Sequence, residues 1–355
     1  MRLMIVLLAT CMLAGISAAD DVGSRDQRIQ WTFDSTNPVI VPGRLNPRFD
    51  SRRTAGGYVV VVGDKYRMYY WAADAKHVNR ICMAETPIDR PNNWKGLGAV
   101  LGPQPDTHYN ARGPVCPMVL PQDDGPWLMY MGTMPEPPPP GGRQTWHSGL
   151  AASNDKGITW KYITRRPLIA SDRAYDSMGT GTICVLKDKG ALHMYYTATA
   201  NWEKRPSNCA SLPWRGDHIP ITGIGHAVST DGIAWKKTNS DFLIPPRRDA
   251  VDPYEHWIAK PMVLKEPSGY RMWLSGYGTT YRVYSLTSKD GLKWDWVPSN
   301  ALDGDLGVGK PGAFDDQMRC YAMVVQHGPK YRMWYTGNSN GATGMGYATG
   351  RLVKN

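Results

Sequence analysis

The chain is poor in phenylalanine, has no cysteine spacing that would ligate a metal, and beyond its first nineteen residues holds no apolar run long enough to cross a bilayer. Only 4 Phe stand against 14 Trp and 19 Tyr, so the aromatic mass comes from rings with a polar edge, which suit surfaces half buried and half wet. No segment sustains a helical apolar period, which argues against a helix bundle. The net charge is +10, yet the basic residues are scattered and no nucleic-acid motif accompanies them, so no nucleic-acid partner is expected. Such a charge fits acidic polysaccharides or anionic envelope surfaces, and equally ordinary solubility. Past the leader, Cys82, Cys116, Cys184, Cys209 and Cys320 are odd in number, which excludes a fully paired disulfide framework. Cys116 and Cys184 fall inside apolar strand runs, where an inert buried thiol is expected.

The first residues read as a targeting segment: Arg2 supplies charge, residues 3–16 a short apolar core, and Ile16-Ser17-Ala18 or Ser17-Ala18-Ala19 a small-residue cleavage site. Residues 1–19 are therefore expected to be a signal peptide. The mature chain, residues 20–355, is expected to be a single exported domain, secreted or periplasmic.

That mature chain repeats itself. Asp176 lies 18 residues before Met194 in HMYY, Asp50 lies 18 before Met68 in YRMYY, Glu255 lies 17 before Met272 in YRMWL, and Asp316 lies 17 before Met333 in YRMWY. A fifth unit centres on Met129, where the corresponding position is Ala111, between Asn110 and Arg112. A second marker, Asp-Gly or Lys-Gly followed by Trp, recurs at Trp160, Trp235 and Trp294, and the glycine suits a tight hairpin corner. These tryptophans read as sheet packing, and the runs at Pro167, Phe242 and Leu101, seven residues after Trp160, Trp235 and Trp94, read as outermost strands. The Met-to-Met steps of 61, 65, 78 and 61 residues fit about five repeats of one supersecondary unit. We therefore expect an all-β, five-bladed β-propeller whose N-terminal strand closes the last blade. Two insertions break the rhythm: residues 134–144, rich in proline, and residues 201–223, whose Trp202, Trp214, Arg215, Asp217 and His218 could shape a binding site or a covering flap.

In such a ring the inner strands converge, so carboxylates ahead of equivalent inner strands would share one pocket. Crowded carboxylates raise one another's pKa, allowing one to remain a protonated acid while another stays ionised, as glycosidic cleavage requires. The structural alternative is that the Asp of FDS or YDS caps a turn.

The FDS at Asp50, the YDS at Asp176 and the strand from Glu255 into KPMVL resemble the five-bladed propeller glycoside hydrolases, the superfamily of families 32, 43, 62, 68 and 117. The resemblance spans essentially the whole mature chain and implies an exported glycosidase acting on a polysaccharide or oligosaccharide. It implies that Glu255 is the general acid, Asp50 the base or nucleophile, and Asp176 the residue that orients and tunes Glu255. Asp50 precedes Ser51 where family 43 has Asp-Pro. Arg112, His256 and Arg319 flank the same register and are candidates to clamp a substrate hydroxyl or carboxylate, and Asp316 to bind hydroxyls or hold the ring. Parts of the superfamily hold a channel cation, but no ligand cluster here demands one, so no cofactor is expected. The alternatives are a carbohydrate-binding propeller without catalysis, and a glycan phosphorylase or transferase with basic side chains beside Glu255.

Overall fold

The computed structural model describes residues 27–138, 142–207, 209, 217–248, 255–299 and 304–354. The expected leader, residues 139–141 of the proline-rich segment, and Trp214 and Arg215 of the longer one lie outside the described residues.

The protein is all-β. Strand β1 (Gln27–Phe33) is followed by a first antiparallel sheet of β2 (Arg53–Val62), β3 (Lys65–Ala73), β4 (Asn79–Pro87) and β5 (Lys95–Leu101). A second comprises β6 (Gly113–Leu120), β7 (Trp127–Met134), β8 (His147–Ser153) and β9 (Lys161–Tyr162). The third unit is β10 (Gly179–Asp188), β11 (Ala191–Lys204), β12 (His218–Ser229) and β13 (Lys236–Lys237), and the fourth is β14 (Trp257–Glu266), β15 (Gly269–Tyr277), β16 (Tyr281–Ser288) and β17 (Asp295–Trp296). These two are bridged by one parallel pair, Thr222 with Trp257. The last sheet holds β18 (Cys320–His327), β19 (Lys330–Thr336) and β20 (Met345–Lys354), and β1 pairs antiparallel with β20, so the chain's first strand completes its last sheet.

The repeated methionines explain how the units assemble. Met68, Met129, Met194, Met272 and Met333 lie on the second strand of each unit, all fully buried. Five clusters result: Tyr69 meets Met129, Tyr130 meets Met194, Tyr195 meets Met272, Trp273 meets Met333, and Met68 meets Trp334. Each unit thus packs on the next, and the fifth packs back on the first. Both faces of these strands are covered, which is why they read as near-continuous apolar runs.

The second marker is a lock between sheets. Ser153, Ser229 and Ser288 each accept the N–H of the turn glycine, and Gly157, Gly232 and Gly291 adopt φ of 86°, 77° and 77°. The glycine carbonyl accepts the indole N–H of Trp160, Trp235 or Trp294 and the hydroxyl of Tyr69, Tyr130 or Tyr195 from the preceding sheet. The expected outermost strands need correcting in two sheets. There, the regular outer strand follows Trp160 and Trp235 directly and is two residues long, while the runs at Pro167 and Phe242 continue along the same edge through single contacts, Leu168 to the Ser148 carbonyl and Ile244 in an antiparallel bridge with Ile224. Leu101 does end β5.

Candidate functional site

Each inner strand, β2, β6, β10, β14 and β18, carries a register shift near its start. Such bulges re-aim side chains. At three of them a non-glycine residue takes positive φ: Cys116 at 47°, Lys260 at 55° and Tyr321 at 54°. Lys260 reaches from the fourth sheet to the first, donating to the Gly57 carbonyl at 3.1 Å across the centre of the ring of sheets. Burial pulls its amine below the ordinary lysine range.

The bulged ends frame a central cavity of about 610 Å³. Seven aromatic residues stand in its wall: Trp71, Trp146, Trp202, Trp257, Tyr277, Tyr281 and Tyr321. Trp146 stacks on Trp202 at 6.2 Å with planes 13° apart, and stands edge-on to Trp257 at 4.7 Å. Between the rings lie hydroxyls and amides from Thr182, Thr197, Thr199, Gln144 and Asn340, and the guanidinium groups of Arg53, Arg112 and Arg143. Pyranose C–H faces stack on such rings while hydroxyls and amides take up sugar O–H groups. Sequence reasoning had singled out Arg112 and Trp202 of this set. The other rings fall outside the repeat register, so nothing in the spacing marked them.

The predicted acids are elsewhere. Asp50, on a single helical turn (Pro47–Asp50), is fully buried. It accepts the N–H of Gly43 and of Asn46, each at 3.1 Å, and the Tyr70 hydroxyl at 2.8 Å. Burial raises its pKa, opposed by those three hydrogen bonds. Asp176, also fully buried, ends a 3-10 turn (Ala174–Asp176) and accepts the Arg173 N–H at 2.9 Å, the Tyr196 hydroxyl at 3.1 Å and the Lys237 ammonium. Glu255 is 1 % exposed and held by Arg247, whose Nε and Nη2 donate to its two oxygens at 3.1 and 2.9 Å and whose backbone N–H donates at 3.1 Å. Arg247 is itself sandwiched, 4.2 Å from the Tyr284 ring and 3.7 Å from Trp296. None of the three acids lines the cavity, and among the described residues no Asp or Glu does.

The remaining candidates also separate. Asp316 accepts from the Gly312 N–H and Asn338, while its neighbour Asp315 is the residue bonded to Tyr335 in the manner of Asp50 and Tyr70. Arg319 pairs with Asp315 at 2.7 Å and lies on Phe33, away from the cavity wall. His256 is fully buried, 3.9 Å from the Cys209 sulfur through Nδ1. No group of three metal-ligating side chains occurs among the described residues, and no helix among them is long and apolar enough to cross a membrane. The five cysteines are buried free thiols.

No family model matches the chain. Two uncharacterized proteins from strains of Mycobacterium tuberculosis are each 26% identical over 299 residues, covering 81% of this chain and 89% of the relative. Among solved structures, a putative glycosidase from Bacteroides thetaiotaomicron superposes with a TM-score of 0.64 at 16% identity, covering 90% of this chain and 96% of that one. A structure from the family of mannoside phosphorylases that contains hydrolases targeting β-1,2 mannosidic linkages in Candida mannan gives 0.65 at 15% identity, covering 90% and 93%. A thermostable family-43 glycoside hydrolase gives 0.59 at 16%, covering 88% and 92%. The chain has the fold of the propeller glycoside hydrolases.

Proposed function

We propose that this protein is an exported five-bladed propeller that recognises a glycan, with the central cavity as the saccharide site. The observation that carries this reading is the cavity wall, where aromatic rings alternate with hydroxyl, amide and guanidinium groups at the mouth of the inner strands. In this reading the five four-stranded units are the blades, and residues 1–19 direct export and are removed. N-terminal sequencing of the mature protein checks the removal.

Recognition without hydrolysis is the form the carboxylates favour. Cleavage needs an acid and a base facing one bond, about 5–9.5 Å apart. Asp50, Asp176 and Glu255 instead each accept three hydrogen bonds from donors of their own chain. Hydrolysis is the second reading, supported by the fold neighbours, which are glycosidases and a relative of the mannoside phosphorylases. In it Glu255, two residues from the cavity-wall Trp257, leaves Arg247 to protonate the leaving oxygen, Asp50 activates water and Asp176 tunes Glu255. No cofactor enters either reading.

The test is a panel of arabinan, xylan, fructan, agar and uronan oligosaccharides, scored for binding by calorimetry and for reducing-end release. Recognition predicts a bound glycan whose affinity collapses in Trp257→Ala and survives in Glu255→Gln and Asp50→Asn. Turnover abolished by both acid substitutions, with folding intact by circular dichroism, would replace it with hydrolysis. A panel with neither binding nor turnover would sink both.

A further inference from the structure

The cavity's charge is one-sided. Arg53, Arg112 and Arg143 line it, and no described acid opposes them. Beside it lies a smaller pocket of about 100 Å³, walled by Arg52, Arg53, Arg112, His77, Asn79 and Trp71, again without a carboxylate among the described residues. Two of its arginines and Trp71 are shared with the main cavity. At ~30 Å³ per water, that volume holds about three waters, or one oxyanion with partial hydration.

Arg53 is built for such a guest. Its guanidinium lies 4.8 Å from the Trp71 ring, one Nη donates to the Ser339 carbonyl at 3.4 Å, and its Nε is buried without a hydrogen-bond partner among the described residues. A buried guanidinium N–H left unpaired is costly, and an incoming oxyanion would satisfy it. Burial already depresses the Arg53 pKa, as expected of a cation without a counter-ion. The carboxylate of the adjoining hairpin, Asp74, is not available to supply one. It is taken up by Arg80 at 2.7 Å and by the N–H groups of Lys76 and Val78.

We infer that the glycan is acidic, and that its anionic group sits in the side pocket between Arg53 and Arg112 while its sugar rings stack in the main cavity. This rests on the saccharide-site reading above. A planar guanidinium pair suits a uronate carboxylate and also a sulfate or phosphate ester.

Calorimetry separates these cases. The probes are trigalacturonate, its neutral methyl ester, a sulfated heparin tetrasaccharide, mannose 6-phosphate and inorganic phosphate alone. The expected result is that at least one acidic saccharide binds about tenfold or more tightly than its uncharged counterpart, with affinity falling as salt rises. That preference disappears in Arg53→Gln and in Arg112→Gln, and persists in Arg351→Gln, a surface change at β20. Which acidic probe wins identifies the anion. Equal binding of ester and acid, or a preference that survives both cavity substitutions, would overturn the inference while leaving saccharide recognition standing. So would inorganic phosphate binding that no sugar improves. Failure of every saccharide to bind would instead remove the recognition reading itself.

Discussion

Replacing Glu255 by glutamine tests whether this acid is structural. The substitution preserves shape but leaves the Arg247 guanidinium without its counter-charge, in a pair whose side chains are 1 % and 18 % exposed. Removing one partner of a buried pair costs about 3–5 kcal/mol. Arg247 keeps its contacts with Tyr284 and Trp296 and some access to water, which shifts the cost about 1 kcal/mol below that range, to roughly 2–4 kcal/mol. For a chain of this size each kcal/mol moves Tm by about 2 °C, giving a fall of roughly 4–8 °C. Changing Arg247 to methionine in the same molecule removes the stranded charge as well. The double variant should then melt well above the temperature obtained by adding the two single effects, with a coupling of about 2 kcal/mol in a double-mutant cycle. Scanning calorimetry on the four proteins supplies the numbers. A Glu255→Gln melt within about 1 °C of wild type, or strict additivity in the cycle, would refute the structural assignment and return Glu255 to the list of free acids.

Tyr70→Phe, Tyr196→Phe and Tyr335→Phe each remove a buried hydroxyl from a carboxylate, so each should cost about 1–3 kcal/mol and leave glycan affinity unchanged; calorimetry beside the binding assay checks both halves. Asp305, whose pKa burial pushes up to about 6, binds its proton more readily in the folded chain, so its contribution is full below pH 4 and lost as pH rises through 6. Asp305→Asn should accordingly match wild type near pH 4 and melt higher at pH 8; a Tm difference that does not vary with pH contradicts this. Thiol titration of the mature protein should find Cys82, Cys116, Cys184, Cys209 and Cys320 unreactive when folded and five free thiols in denaturant, with a Tm indifferent to reductant.

The fold was legible because the sheets share their second strand. A buried Met followed by Tyr or Trp recurs in all five, from Met68-Tyr69 to Met333-Trp334, and three add a turn that glycine enters without strain, at Gly157, Gly232 and Gly291. The closure of β1 on β20 followed from the same count. The cavity was far less legible. Its rings come from unrelated places, Trp71 at the end of β3, Trp146 before β8, Trp202 within β11 and Tyr321 at a bulge, and no spacing connects them. What brings them together is the packing of the sheets around one centre, with only Tyr321 placed by a bulge of an inner strand, and that is a tertiary fact.

A structural role for the repeated acid is written in the chain's own register. Asp50, Asp176 and Asp315 each precede a tyrosine by twenty residues, and each accepts that tyrosine's hydroxyl: Tyr70, Tyr196 and Tyr335. In the second unit Met131 occupies the tyrosine's place and the acid is missing, Asn110 bonding Gln104 instead. In the fourth, Leu274 occupies it, and Glu255 turns to Arg247. In these three units acid and tyrosine form a hydrogen-bonded pair inside one sheet, each giving the other the partner that a buried polar group needs. A catalytic site demands the reverse: different residues at equivalent positions, facing one another across the ring. At the inner-strand bulges the equivalent residues are Gly56, Cys116, Gly181, Lys260 and Tyr321, which differ from strand to strand. The cavity wall, with its arginines, threonines and aromatic rings, is the basis on which we propose an acidic sugar as its ligand.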